Sequence, residues 1–291
     1  METPHRHLPG LADWGRCGVM GIVNVTPDSF SDGGLWLDPE KAIAHGVDLV
    51  RQGADLVDVG GESTRPGAQR VTEEEELRRV IPVITGLVSA GVTVSVDTMR
   101  AVVAEASVAA GAKVINDVSG GRADANMVKV AAETGVPFVV MHWRGQSTEM
   151  EALARYQDAV REVVAEVEAQ AEAVIGAGVR PEQLIVDPGL GFAKTREDDW
   201  ALLARLEAWS RLGHPLLVAA SRKRFLGTLL ADEATGELRP ARERDAATAA
   251  VSALAAAAGA WAVRVHEVGA TADAVRVEAA LRAARTRQEA R

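Results

Sequence analysis

The sequence predicts an α/β chain folded as a single-domain (β/α)8 TIM barrel. Three observations predict it. Short apolar runs recur eight times along the 291 residues, separated by stretches of helical character. Each run ends in a polar or charged residue: in order Asn24, Asp58, Asp97, Asn116 with Asp117, His142, Asp187, Ser221 with Lys223, and Arg264 with His266. Several runs are apolar on consecutive positions, as parallel strands buried on both faces require. Eight alternating units favour a closed barrel over the alternative, an open doubly wound sheet. In such a barrel all strand C-termini meet at one face, so the polar ends share a pocket and the chain reads as an enzyme.

The elements follow in order. GVMGIVNV (18–25) is the first strand, and the loop TPDSFSDGG after it is broken by Pro27, Gly33 and Gly34. Asp38 caps a helix that carries Pro39 at its first position. LVDVGG (56–61) is the second strand; the loop ESTRPGA leads to a helix capped by Thr72, with Glu75 placed for a capping box. TVSVDT (93–98), KVINDV (113–118) and PFVVMH (137–142) are strands three to five. Val160, Val163, Val164, Val167, Ala171, Val174 and Ile175 then fall on one face of a helix that Gly176 and Gly178 end. LIVDPG (184–189) and PLLVAAS (215–221) follow, then a short extra helix in RKRFLGTLL, a polar loop at 231–242 and an Ala-rich helix. AVRVH (262–266) is the eighth strand, and Thr271 begins the last helix. Residues 1–17 form an N-terminal extension placed to cover the barrel floor, 18–285 the barrel, and 286–291 a frayed tail.

A net charge of −9 argues against nucleic acid as the main partner. It leaves an anionic small substrate open, because local field outweighs the sum. One cysteine, Cys17, excludes an internal disulfide and suits a reducing cytosol; its neighbours Val19 and Met20 suggest packing, not catalysis. No run reaches the roughly 18 apolar residues of a membrane span, and the N-terminus lacks the pattern of a signal peptide. A cytoplasmic location is the expectation.

Asp97 and Asp187, with Asn116 between them, offer carboxylates and an amide to one pocket. That pattern fits a ligand rich in N–H donors, such as an amino-substituted heterocycle, and a buried Asp stabilises developing positive charge. Basic residues end the last two strands: Arg222 and Lys223, then Arg264 and His266. Barrels often bind phosphate there, and residues two apart face the same side of a strand, so an anion site is expected. The loops TPDSFSDGG and GGESTRPG carry Phe30 and Arg65 among glycines and read as moving lids; neither matches a Walker or dinucleotide sequence. With no HxxxH, no CxxC and no His cluster, zinc is not expected. Asn24 is a candidate oxygen ligand for Mg²⁺, with substrate phosphate and water supplying the rest. His142 with Trp143 lines the pocket or simply packs; the sequence leaves both open.

MGIVNVTPDSFSDGG (20–34), GADLVDVGGESTRPGA (53–68), DPGLGFAKT (187–195), SRKRFLG (221–227) and RVHEV (264–268) together resemble the dihydropteroate synthases, from about residue 18 to 280. The resemblance implies a homodimeric barrel that joins p-aminobenzoate to 7,8-dihydropterin pyrophosphate and releases pyrophosphate, with Mg²⁺ as cofactor and sulfonamides as competitors. It implies that Asp97, Asn116, Asp187, Lys223 and Met141 hold the pterin. Asn24, Arg264 and His266 would hold pyrophosphate, with Asn24 also on the metal. Phe30, Thr64, Arg65, Pro66, Phe192, Ser221 and Lys223 would form the p-aminobenzoate pocket. Asp97, Asp187, Lys223 and Arg65 would be the catalytic set, in a dissociative mechanism that needs no protein nucleophile. Two alternatives stand beside it: a pterin-binding paralogue without activity, and another pterin-using barrel such as a methyltetrahydrofolate methyltransferase.

Overall fold

The structure, a computed structural model, describes residues 8–26, 38–62, 70–145 and 152–289. Among the described residues there are eight strands: β1 Gly18–Asn24, β2 Leu56–Gly60, β3 Val94–Asp97, β4 Val114–Asp117, β5 Phe138–Met141, β6 Leu184–Asp187, β7 Leu217–Val218 and β8 Ala262–Val265. All neighbouring pairs are parallel, in the order β6-β5-β4-β3-β2-β1-β8-β7. A parallel bridge between Val186 and Leu216 joins the two ends and closes the barrel. Closure removes both sheet edges, which an open doubly wound sheet would leave.

The helices are α1 Pro39–Gln52, α2 Glu73–Ser89, α3 Ala101–Ala109, α4 Met127–Thr134, α5 Ala159–Gly176, α6 Arg196–Ala204, α7 Arg224–Leu229, α8 Asp245–Ala257 and α9 Gly269–Glu289. Asp38 caps α1 as expected, accepting the Glu40 N–H, with Pro39 at the first position. Thr72 caps α2 through the Glu75 N–H, but the capping box is only half made. The Glu75 carboxylate is taken instead by Arg78 and Arg79, so it does not reach back. A full box forms where none was expected, between Thr195 and Asp198 at the start of α6. In α5 the apolar face is buried at Val163, Val164, Val167, Ala171 and Val174. Gly178, in the left-handed region at φ +108°, turns the chain after it. The seventh strand is much shorter than expected, ending at Val218, and the chain turns at Arg222 with a positive φ of 58°. The last helix starts at Gly269, ahead of Thr271, and runs to Glu289.

Alternation along the strands creates two apolar layers and one polar one. Met20, Leu56, Val114, Val139, Ile185, Leu217 and Ala262 cluster inside the barrel with Leu8 and Leu11 of the N-terminal segment. Their strand neighbours, among them Val19, Val57, Val94, Val140, Val186 and Val263, pack outward against the helices. Two residues further along, the inward set turns mostly polar: Asp58, Asn116, Asp187 and Arg264, with Met141 the apolar member. Apolar side chains thus fill the floor, and the polar ones rise from it to the C-terminal mouth. No helix among the described residues is long and apolar enough to cross a membrane.

Candidate functional site

The strand register brings the expected residues side by side. Asn24 pairs with Gly60, Gly60 with Asp97, Asp97 with Asn116, and Met141 with Asp187. Gly60 keeps this junction open. A Cβ there would lie 3.5 Å from the Asp97 Cβ and 3.7 Å from Asn24 Oδ1. Phe30, Thr64, Arg65 and Pro66 lie outside the described residues.

Arg264 is the centre of the mouth. Its Nε donates to Asp58 Oδ2 at 2.6 Å and its Nη2 to Asp97 Oδ2 at 2.7 Å. Asn116 Nδ2 donates to the same Asp58 oxygen at 2.9 Å. The sequence reading separated acids for a ring from bases for an anion; the structure interleaves them. Closure places β8 beside β1, so Arg264 can reach carboxylates on β2 and β3. Asp58 is the residue that sequence reasoning left without a role. Its position at a strand end was the available signal.

Two carboxylates share one guanidinium, so ionisation of both leaves one negative charge in excess. Burial pushes the Asp97 carboxyl up to about 7; Arg264 opposes the rise and Asp58 adds to it. Burial outweighs the bond to Arg264 because the carboxylate has lost nearly all its water. Asp187 is also raised by burial, against the pull of Lys223. Burial lowers Lys223 to about 8, with Asp187 and Asp199 holding its proton on. The Lys223 Nζ donates to the Leu190 carbonyl and sits 4.9 Å from the centre of the Phe192 ring. Ser221 Oγ accepts the His266 backbone N–H at 3.1 Å and lies 3.0 Å from Nδ1 of the same ring.

Three expectations change. Arg222 does not join Lys223 at the mouth; it forms a two-pronged pair with Asp245 at the start of α8, at 2.7 and 2.8 Å. Asp117 faces away from Asn116 and fastens the next turn through Ser119 and Gly121, its carboxyl raised to about 6 by burial. His142 is neither an open pocket wall nor a simple packing residue. It is buried between Glu166 and Lys194, at 3.0 and 2.9 Å. Cys17 is buried and its thiol is pushed up to about 12, so it is no nucleophile.

Among the described residues no group of three or more His, Cys, Asp and Glu forms a metal cage. The Asn24 amide oxygen beside Asp97 instead fits an ion that arrives with most of its ligands, from phosphate oxygens and water.

Comparison with known proteins agrees with this geometry. Residues 20–266 match the model of the pterin binding enzymes. A dihydropteroate synthase of Mycobacterium leprae (strain TN) is 54% identical over 260 residues, 89% of this chain and 91% of the relative. The Bacillus subtilis (strain 168) dihydropteroate synthase is 45% identical, over 86% and 83% of the two chains. Among solved structures, the Yersinia pestis dihydropteroate synthase in a sulfonamide complex superposes with a TM-score of 0.89, at 39% identity and covering 95% and 98%. The Xanthomonas albilineans enzyme in complex with 7,8-dihydropteroate gives 0.80, at 44% identity and covering 92% and 94%. With its mouth built from these strand ends and its sequence matched along nearly its whole length, the chain belongs to the dihydropteroate synthase family of pterin binding enzymes.

Proposed function

We propose that this chain condenses 7,8-dihydropterin pyrophosphate with p-aminobenzoate to give 7,8-dihydropteroate and pyrophosphate, through a dissociative mechanism. The arrangement that carries the reading is the buried acid-rich cluster Asp58–Arg264–Asp97, flanked by Asn116, Asp187 and Lys223. A heterocycle with several N–H groups meets carboxylate and amide acceptors there, and Lys223 supplies a donor for its carbonyl oxygen. Met141 gives the ring an apolar neighbour.

In the first step the bond between the pterin methylene carbon and the diphosphate oxygen breaks, and its electron pair leaves with the diphosphate. Arg264, His266 and Asn24 face the departing anion from β8 and β1. Mg²⁺, when bound through Asn24 and the diphosphate, would neutralise charge on the leaving oxygens. The carbocation left on the pterin is stabilised by the excess negative charge at Asp58 and Asp97, aided by Asp187. Asp97 acts in its ionised form, its proton already given to solvent, and the nearby cation favours that form. In the second step the arylamine nitrogen forms the new C–N bond, and the resulting ammonium gives its proton to solvent. Phe192, Ser221 and Lys223 are assigned to the arylamine slot, together with Phe30, Thr64, Arg65 and Pro66, which the resemblance to the dihydropteroate synthases adds. Arg65 is the remaining member of the proposed catalytic set. Exclusion of water keeps the cation from being hydrolysed.

The protein is proposed to work as a cytoplasmic homodimer. Support for the pairing comes from Leu254, Val277 and Leu281, large apolar side chains exposed on α8 and α9. The test of the function is pyrophosphate release from dihydropterin pyrophosphate in the presence of p-aminobenzoate and Mg²⁺. Release that depends on all three components is expected. No turnover under these conditions would favour the inactive paralogue, and methyl transfer from a methylated pterin would favour the methyltransferase.

A further inference from the structure

The segment between β6 and α6 is held at many of its backbone polar groups. The Gly189 N–H donates to Asp187 Oδ1 at 2.7 Å, and the Gly191 N–H to Asp199 Oδ1 at 2.6 Å. The Leu190 carbonyl accepts from Lys223 and the Phe192 carbonyl from Lys194 Nζ at 2.9 Å. The Ala193 carbonyl accepts from Tyr156 OH at 2.7 Å. Ala193 holds a left-handed φ of +47°, a conformation a side-chain-bearing residue adopts only when its surroundings impose it. This eight-residue loop is therefore fixed by groups from β6, the β5–α5 connection, α6 and the segment after β7.

Lys194 carries this fixation across to β5. Its ammonium also reaches His142 Nδ1 at 2.9 Å, and His142 Nε2 lies 3.0 Å from Glu166 Oε2 on α5. Burial lowers His142 to about 4, so the ring is neutral: Nδ1 accepts from Lys194 and Nε2–H donates to Glu166. Glu166 is held in turn by Arg144, which lies 3.9 Å above the Tyr156 ring. The two arms, Glu166–His142–Lys194 and Arg144–Tyr156, converge on consecutive carbonyls, those of Phe192 and Ala193. Burial lowers Lys194 to about 7; Asp199 and Asp187 hold its proton on, and Lys223 and Arg144 oppose it.

We propose that Lys194 and Tyr156 are positioning residues for the arylamine substrate, fixing the two carbonyls that set the Phe192 ring against Lys223. This rests on the reading of Phe192 as a wall of the p-aminobenzoate slot. Lys194 and Tyr156 hydrogen-bond to none of Asp58, Asp97, Arg264, Asp187 and Lys223, so the larger effect is expected on the second substrate.

The test is steady-state kinetics of the full-length enzyme with each substrate varied, for Lys194→Met, Lys194→Arg, Tyr156→Phe and Phe192→Ala. Lys194→Met is expected to raise KM for p-aminobenzoate about tenfold, the loss of one charged hydrogen bond, and Tyr156→Phe about threefold. KM for dihydropterin pyrophosphate stays within about twofold in both. Lys194→Arg keeps the charge and a donor, and recovers most of the p-aminobenzoate KM. Unchanged p-aminobenzoate KM in both variants overturns the proposal, as does an equal rise in both KM values. If Lys194→Met does not fold, Tyr156→Phe, which removes a single hydroxyl, decides alone. Phe192→Ala separates the two readings: if it leaves the p-aminobenzoate KM unchanged, the slot assignment fails. If it raises that KM while the other variants do not, only the positioning role fails.

Discussion

Asp58→Asn isolates the charge of a fully buried carboxylate at nearly constant shape. Asp58 Oδ2 accepts from Arg264 Nε at 2.6 Å and from Asn116 Nδ2 at 2.9 Å, while Oδ1 has no partner among the described residues. An asparagine can leave its carbonyl oxygen on both donors and place its amide nitrogen where Oδ1 was. What disappears is one negative charge against a half-buried guanidinium that keeps Asp97. Breaking a buried pair outright costs about 3–5 kcal/mol. With the second carboxylate retained, and the difference between a charged and a neutral hydrogen bond at about 1–2 kcal/mol, a loss of about 2 kcal/mol is expected. For a chain of this size that is a fall in Tm of roughly 4–8 °C by calorimetry. A second readout uses Asp97. Asp58 is one of the charges that raise it, so removal of Asp58 lowers the Asp97 pKa. At roughly 5 Å and an effective dielectric of about 20 the repulsion is about 3 kcal/mol, some 2 pH units. Arg264 lies between the two carboxylates, and about one unit is expected to remain. Ionised Asp97 is the active form, so the acid limb of kcat/KM should move to lower pH by that amount. A melting temperature within about 1 °C of the parent, with an unmoved acid limb, would refute the bridging role assigned to Asp58.

The parent enzyme should show a bell-shaped kcat/KM. Activity is lost as pH falls through the Asp97 value of about 7 and as it rises through the Lys223 value of about 8, so the maximum lies between them; a flat profile from pH 5 to 9 would exclude these two groups as its cause. The same raised Asp97 pKa has a stability sign: its contribution is fully present below the ordinary carboxyl pKa and is lost as pH rises through about 7, which proton uptake on folding at pH 6 would reveal. Asp97→Asn should lower kcat about 10²–10³-fold with little change in pterin affinity by calorimetric titration, and an unchanged kcat would contradict its action on the cation. Gly189→Ala should cost about 1–3 kcal/mol, because φ is +63° and the new Cβ would stand 2.5 Å from the His142 carbonyl oxygen; an undiminished Tm would show that this contact can relax.

The strand ends were legible because burial on both faces makes a parallel strand an unbroken apolar run, so its first polar residue marks the mouth. Asn24, Asp97, Asn116 and Asp187 were all found this way. Neighbouring residues were harder: Asn116 and Asp117 are adjacent and point to opposite faces, and which one enters the barrel is settled only by register with β3 and β5. Local signals also misled where side chains had a choice of partner. Glu75 took Arg78 and Arg79 over its own helix cap, and Arg222 took Asp245 over the pocket.

Amino-acid order alone determined the repeating βα units, the inward parity of Arg264 and His266, and the family to which the chain belongs. These depend on residues near one another, through the alternation of a strand, the period of a helix and short contiguous motifs. Only the closed tertiary structure decided that Arg264 joins Asp58 and Asp97, across 206 and 167 residues of chain, and that His142 stands between Glu166 and Lys194. Such partnerships are made by barrel closure and by helices docking on its outside. A buried charge takes whichever opposite charge the fold delivers within hydrogen-bond reach, and no local pattern in the chain records which one that will be.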